Sequence, residues 1–419
     1  MAFNPFNIFK RSAKANRKAT VITGSGQPSY PERNYENYAK EAFLKNVIGF
    51  RCIDLIAKSV ASVPWKVYEE KSNGEADEVF SDPLYDLLYR PNPDMGWTNF
   101  MYSLTAYLPL SGNTFVRKIG PTTGPNRGIP KELYTLQPNN IVIETNDSGQ
   151  KIGYTYNKGT RFEQTFPIDP ITGECEVRQI KLFNPLSEIW GTSITETAAR
   201  EIDTSNAGAD WNKNLLDNQA RPGMVLSSEN PLTDQQFDRL AQQIRDEREG
   251  AANSGRSLIL EGKMKADQYG FSPAEMDFIE GSREMSRRIA LAYGVQPQML
   301  GIKGDSTYSN YEQARQAFWE ETVTFYLTLI RDEFNHWLLR GSNKYLDYDL
   351  DNMPAFELKR ASLWERARAA DFITINEKRA MVGEDTVDGG DIILVSATML
   401  PLGTEREEPG DDNNGDDEL

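Results

Sequence analysis

A single imidazole limits what this chain can catalyse. His336 is the one histidine in 419 residues, so a Ser-His-Asp triad, a Cys-His pair or a multi-histidine zinc site would all depend on it. It stands in Asp332-Glu333-Phe334-Asn335-His336-Trp337, inside a helical pattern, with no Gly-x-Ser-x-Gly turn elsewhere. A polar helix residue is the simpler reading. Carboxylates are the next candidates. Glu320-Glu321 or Asp246-Glu247 would suit a two-metal nuclease if something fixed their geometry, but solvated helix faces explain such pairs more economically. Asp347, Asp349 and Asp351 resemble the opening of a calcium loop, yet Asn352 takes the place of its glycine and Leu358 that of its closing glutamate. Because Leu346, Tyr348 and Leu350 alternate with these acids, a strand with one acidic face fits better, a hard-cation site being the alternative. The run Gly120-Pro121-Thr122-Thr123-Gly124-Pro125-Asn126-Arg127-Gly128 lacks the Gly-Lys-Ser/Thr ending of a phosphate loop, and its prolines remove backbone donors, so it reads as a surface loop. Cys52 and Cys175 can form at most one bridge and read as thiols in a reducing compartment. No cofactor or metal is expected.

The elements that carry these residues belong to an ordered, water-soluble chain. With 39% hydrophobic and 11% aromatic residues it is too apolar for a disordered chain, and at a mean hydropathy of -0.58 it is too polar for a membrane bundle. No apolar stretch of about 18 residues occurs, so no membrane span is expected. The length suggests roughly two to four domains, and no repeat with a period of about 20 to 50 residues is visible. The formal charge is -16, unevenly spread. Lys10, Arg11, Lys14, Arg17 and Lys18 make the first twenty residues basic, whereas residues 405–419 hold eight acids and one arginine. The body between them is acidic too, and such a body does not grip duplex DNA strongly. At the start, Phe3, Phe6, Ile8 and Phe9 precede the basic cluster, the reverse of a secretory signal. A frayed basic arm is expected there and a disordered acidic tail at 405–419.

Periodicity predicts a helix over 39–62, a strand at Trp65-Lys66-Val67-Tyr68 and a hairpin turn at Ser72-Asn73-Gly74. A short helix should open at Pro83, and another should run from Trp97 to Leu110 before a Gly112-Asn113 turn. Several short strands are expected between Thr114 and Leu182, so this half is mixed α+β. The second half reads as a helix from Ser193 to Ala220 and a strand at Met224-Val225-Leu226. A capped helix should follow from Thr233-Asp234-Gln235-Gln236, then a returning strand at Ser257-Leu258-Ile259-Leu260. Residues 273–293 should be helical, with Gly294 and Pro297 as the stop. A loop over 295–310 leads to a helix from Tyr311 to Leu339, roughly 40 Å long. Its stripe of Trp319, Val323, Tyr326, Ile330, Phe334 and Trp337 needs extensive burial, against its own domain or a neighbouring subunit, and its extent favours the subunit contact.

Read in order, several segments resemble the phage portal protein family, the head-to-tail connectors of long-tailed bacteriophages. They are Ser81-Asp82-Pro83-Leu84 with Leu87-Leu88-Tyr89-Arg90-Pro91-Asn92-Pro93, then Ser111-Gly112-Asn113-Thr114-Phe115 and Trp190-Gly191-Thr192-Ser193. Asn218-Gln219-Ala220-Arg221-Pro222-Gly223, Tyr293-Gly294-Val295-Gln296-Pro297-Gln298-Met299-Leu300-Gly301 and Thr374-Ile375-Asn376-Glu377-Lys378-Arg379 complete the series. Family members commonly place two prolines after the Gly-Val, where this chain has Gln296 before Pro297.

The resemblance implies an α+β portal-type ring subunit. After a flexible basic arm (1–36) would come a mixed wing (37–192), a first stem helix (193–220), a small α/β clip (221–271) and a second stem helix (272–294). A tunnel loop (295–310), a long helix with the rest of the wing (311–360), a helical crown (361–404) and an acidic tail (405–419) would follow. It implies a non-enzymatic dodecamer at one capsid vertex, assembled in the host bacterial cytoplasm, that passes double-stranded DNA without sequence specificity. Its partners would be further copies of itself, the terminase large subunit, the major capsid or scaffolding protein and a head-tail joining adaptor, with no membrane. Lys303, Gly304, Asp305, Ser306, Thr307 and Tyr308 would line the tunnel, and Arg239, Arg245 and Arg248 would dock terminase. The rival readings are a metal-dependent nuclease or hydrolase using acidic residues, and a scaffold or adaptor that forms no ring.

Overall fold

The computed structural model describes residues 34–72, 76–121, 123, 129–217, 224–228, 233, 235–239, 242, 264–268, 278–302, 308–350 and 353–394. The chain enters through α1 (Tyr35–Tyr38), continues as a π-helical segment Ala39–Lys45, and restarts at Asn46 as α2 (Val47–Ala61). The helix expected over 39–62 is therefore two helices. The break has a local cause: the Asn46 side chain accepts from the amides of Ile48 and Gly49 at 3.1 and 2.9 Å, capping a new N-terminus. Strands β1 (Trp65–Glu70) and β2 (Ala76–Glu78) pair antiparallel, as a hairpin requires, although the turn residues Asn73 and Gly74 lie outside the described residues. Asp82 caps α3 (Pro83–Tyr89), with proline at its first turn. Next comes α4 (Trp97–Ser111), which ends at Gly112 with φ +72.

Six strands come next, as the punctuation between Thr114 and Leu182 predicts: β3 (Asn113–Ile119), β4 (Glu132–Leu136), β5 (Ile141–Thr145), β6 (Lys151–Tyr156), β7 (Gln164–Pro167) and β8 (Val177–Lys181). They form two three-stranded antiparallel sheets, ordered β4-β3-β8 and β5-β6-β7. Phe115, Leu136, Ile143, Tyr154, Phe166 and Val177 from both sheets close a small core of their own.

The helix predicted from Ser193 to Ala220 is interrupted at Ala198, giving α5 (Ile194–Thr197) and α6 (Ala199–Asp217); residues 218–220 lie outside the described residues. Strand β9 (Met224–Ser228) pairs antiparallel with β10 (Met264–Gln268). The returning strand expected at 257–260 lies outside the described residues, so the partner seen is a later segment. Between them residues 235–239 are helical. Their capping box is present: the Thr233 amide donates to Gln236 Oε1 at 3.0 Å, and the Gln236 amide to Thr233 Oγ1 at 3.4 Å.

Helix α7 (Phe278–Ala292) lies within the predicted 273–293. A 3-10 turn, Pro297–Leu300, occupies the start of the expected loop. The long helix begins at Tyr308, three residues before the predicted start, as α8 (Tyr308–Ala317), passes through a π-helical segment Phe318–Val323, and continues as α9 (Thr324–Leu338). Its stripe is covered within the chain. Trp319, Val323, Tyr326, Ile330 and Phe334 are buried against α2, α4, β1 and the end of α7 in the main core, so the expectation that this stripe needs a neighbouring subunit is corrected. Strand β11 (Lys344–Tyr348) returns to β1, pairing Trp65 with Tyr348 and so joining the two halves of the chain. Helices α10 (Glu357–Ala369) and α11 (Ile375–Met381) complete the fold. Among the described residues, no helix is long and apolar enough to cross a membrane.

Candidate functional site

Three of the segments singled out from the sequence, Ser111 to Phe115, Trp190 to Ser193 and the one that opens at Tyr293, meet around one place, the root of α6 and α7. Gly112 must be glycine because φ is +72 and a Cβ would lie 2.4 Å from the Thr192 carbonyl carbon. That close approach lets Asn113 act as a hub. Its Oδ1 accepts from the Gly191 amide at 2.9 Å and from Gln179 Nε2 at 2.8 Å, while its Nδ2 donates to the Ser111 carbonyl at 2.8 Å. Asn113 is 2% exposed, so each of these bonds satisfies a group that water cannot reach.

Directly after this hub, Ser193 caps α5 and ties it back to α4. Its hydroxyl lies 2.8 Å from the Leu110 carbonyl and accepts from the Glu196 amide at 3.1 Å. The Leu110 and Pro109 carbonyls are available because they lie in the last turn of α4, which Gly112 ends. Thr195 Oγ1 donates to the Pro109 carbonyl at 3.0 Å and lies 2.8 Å from Tyr293 Oη at the end of α7. Tyr293 is 1% exposed, and burial holds its phenol well above the ordinary range. It is therefore a neutral hydrogen-bonding group. Immediately after it, Gly294 has φ +69, and its carbonyl accepts from Thr322 Oγ1 at 2.7 Å, inside the π-helical segment. On the other helix, the Asn206 side chain of α6 accepts from Asn46 Nδ2 at 2.9 Å and donates to the Glu41 carbonyl at 3.0 Å. Both helices are thus pinned at their roots by buried polar contacts, with Lys45 and Asp210 adding an exposed ion pair at 3.1 Å.

This arrangement can hold two helices at a fixed angle, but it offers no reacting group. Burial pushes the Cys52 thiol up to about 12, which keeps it protonated and inert. His336 is a residue of α9 whose Nδ1 lies 3.3 Å from Arg178. Asp347 faces Arg331 at 3.4 Å and Asp349 faces Lys66 at 3.1 Å, so the two described acids of the cation-loop candidate are paired with cations. Asp351 lies outside the described residues. Glu320 pairs with Lys359 at 3.0 Å, a contact that lowers its carboxyl below the ordinary range. Among the described residues no cluster of His, Cys, Asp and Glu could hold a metal ion.

Of the predicted tunnel residues, Lys303, Gly304, Asp305, Ser306 and Thr307 lie outside the described residues, and Tyr308 opens α8. Arg239 is exposed on the helical stretch 235–239, while Arg245 and Arg248 lie outside the described residues. Sequence reasoning missed Asn46, Thr195 and Asn206. A buried polar residue inside an apolar helical pattern was the available signal, and without the fold its partner cannot be named.

A family model described as "Phage portal protein" matches residues 48–383. The chain belongs to the phage portal protein family. The portal protein of Enterobacteria phage HK97 is 25% identical over 370 residues, covering 85% of this chain and 84% of that protein. A chain in the neck of an empty gene transfer agent particle computed with C6 symmetry has a TM-score of 0.66 and 33% identity. It covers 88% of this chain and 98% of its own length. The neck of the native particle computed with C12 symmetry gives a TM-score of 0.64, again at 33% identity, covering 87% of this chain and 97% of the other. The mixed helix and sheet architecture is that of portal proteins, a structural family, and the root of α6 and α7 is where this portal chain concentrates its buried polar contacts.

Proposed function

We propose that this portal protein forms a homo-dodecameric ring at one capsid vertex of a phage or gene-transfer-agent particle, and that the ring is the channel for DNA packaging and ejection. The observation that carries the reading is the 33% identity, across nearly the whole of both chains, to a subunit in particle necks computed with C6 and C12 symmetry. In this reading residues 37–192 are the wing, and 193–220 with 272–294 are the stem. The clip is 221–271, the tunnel loop 295–310, the long helix with the rest of the wing 311–360, and the crown 361–404. The pinned root of α6 and α7 supports it, because a stem must keep one angle in every subunit if a ring is to close.

The clip, through Arg239, Arg245 and Arg248, docks the terminase large subunit and later a head-tail joining adaptor. The major capsid or scaffolding protein surrounds the ring, and assembly takes place in the host bacterial cytoplasm. Lys303 to Tyr308 approach the moving DNA. An acidic body with few cations suits this task, since strong phosphate contacts would hold DNA rather than let it slide. ATP hydrolysis belongs to terminase, consistent with a chain that has no Gly-Lys-Ser/Thr phosphate loop.

The test is native mass spectrometry of the purified protein at moderate salt, with electron-microscope images of the same sample. A discrete species near twelve subunits with a central hole is expected. A monomer that degrades DNA when magnesium is added would overturn the proposal in favour of a nuclease.

A further inference from the structure

Helices α10 and α11 face each other across an open, largely apolar cavity of about 670 Å³, lined by Trp364, Ala367 and Arg368 from α10 and by Ile375, Lys378 and Val382 on and just beyond α11. Trp364 is 54% exposed there, an unusual position for an indole in a folded chain. The two helices carry six cationic side chains against three acidic ones, although the chain as a whole has net charge -16. At the rim, Arg379 is occupied by Glu384 at 3.4 Å, and Glu365 is the one other carboxylate. Arg368 and Lys378 have no ion-pair partner among the described residues. The groove is therefore apolar at its floor with two available cations at its edge.

The chain beyond α11 has the complementary order. Ile392, Ile393 and Leu394 run beside α11, where the Ile375 amide donates to the Ile392 carbonyl at 3.2 Å, and all three are more than half exposed. The next apolar run is Met399-Leu400-Pro401-Leu402, and after Gly403-Thr404 come Glu405, Glu407 and Glu408, with Arg406 among them. Five residues from Leu394 to Met399 reach up to roughly 17 Å when extended, further than α11 is long at about 1.5 Å per residue. A tether this short gives a millimolar-scale effective concentration, so modest contacts suffice.

We infer that this groove is the docking site for the chain's own C-terminal segment, with Met399 to Leu402 over Trp364 and Ile375 and the glutamates of 405–408 against Arg368 and Lys378. Docked so, the acidic segment occupies the cations that would otherwise be free to hold a polyanion such as DNA. The inference stands on charge and geometry within one chain and does not depend on ring formation.

The chain carries its own reporter, because Arg406 is its last basic residue and lies in the segment concerned. Trypsin cleavage after Arg406 in the full chain should be slow at low salt. It should speed up about tenfold in Arg368→Glu/Lys378→Glu and in wild type at roughly 0.5 M salt, where charge pairing is screened. Equal cleavage rates in wild type and the charge-reversed variant would overturn the inference. As a second arm, a fluorescent peptide of residues 395–419 is titrated against the full chain and against a chain stopped after Leu394. Binding to the shortened chain alone, lost with Arg368→Glu/Lys378→Glu, is the expected result. Binding to both chains would mean that the groove is empty in the full protein and takes the segment of another copy, against the inference. Binding to neither, or binding unaffected by the charge reversal, would equally sink the cis arrangement.

Discussion

Thr195 and Tyr293, 98 positions apart in the chain, meet hydroxyl to hydroxyl at 2.8 Å in the buried root of α6 and α7. Thr195 has one proton and gives it to the Pro109 carbonyl at 3.0 Å, so Tyr293 must be the donor to Thr195. The order of donation predicts an asymmetry. Tyr293→Phe removes one bond and should cost about 1 kcal/mol, whereas Thr195→Val strands the buried phenol and should cost about 1–3 kcal/mol, the Pro109 carbonyl keeping the Ser193 hydroxyl at 3.1 Å. Urea denaturation of both variants and of the double variant checks this. The double variant should cost less than the two single costs added together, and strict additivity would show that the contact does not couple the helices.

Gly294 and Gly301 provide a matched pair. Both are left-handed, at φ +69 and +71, but a Cβ on Gly294 would meet Thr322 Oγ1 at 2.7 Å, and one on Gly301 would meet nothing within 4 Å. Gly301→Ala should cost about 1–2 kcal/mol, the strain of the conformation alone. Gly294→Ala should cost more, because it also displaces the Thr322 hydroxyl from the Gly294 carbonyl. Equal losses by thermal unfolding would argue against the pin between α7 and the π-helical segment.

Burial, with Lys181 and Arg178 nearby, brings Lys151 down to about 8. The unfolded chain holds that proton up to about pH 10.4, so between about pH 8 and 10 Lys151 contributes stability that grows as pH rises, against the opposite pull of Cys52, whose thiol stays protonated up to about 12 only while folded. Above this window the Lys151 contribution is complete and stability should fall, because buried phenols such as Tyr102, pushed up to about 12 by burial and by Asp54, stay protonated only while folded. Lys151→Met should shift the slope of stability against pH between pH 8 and 10 toward more negative values in melts followed by circular dichroism. An unchanged slope would assign it to other groups.

If 295–310 is the tunnel loop proposed above, Lys303→Glu should lower the DNA packaged per particle severalfold, with Lys303→Ala less affected, because a transient cationic contact is removed in the second case and made repulsive in the first. Normal packaging by both variants would make this an ordinary connection between α7 and α8.

In the proposed clip, reversing Arg239, Arg245 and Arg248 together to glutamate should weaken the proposed binding to the terminase large subunit at least about tenfold, near 1.4 kcal/mol. Surface binding measurements on the purified full-length protein would show it. Wild-type affinity would place the docking surface elsewhere.

Much of the element order was legible in the sequence, since hydrophobic period, caps and glycine stops act within a few residues. Pro83, Gly112, the Thr233-Gln236 box and Gly294 each mark a boundary that the fold keeps. The departures share a cause in buried side chains. Asn46 cuts a helix that periodicity reads as one, because its side chain caps the next segment and its amide finds Asn206.

What only the tertiary structure decided is which partner each face and polar group takes. The stripe on the long helix looks like an exposed interface in one dimension, and α2, α4, β1 and α7 cover it in three. Asn113, Ser193, Thr195 and Tyr293 stand in or beside recognisable segments, but their convergence on the root of two helices depends on contacts across as many as 98 positions. Local propensity fixes an element through neighbours in the chain, whereas hydrogen bonds in a dry core are fixed by packing, and packing is settled only when the distant segments meet.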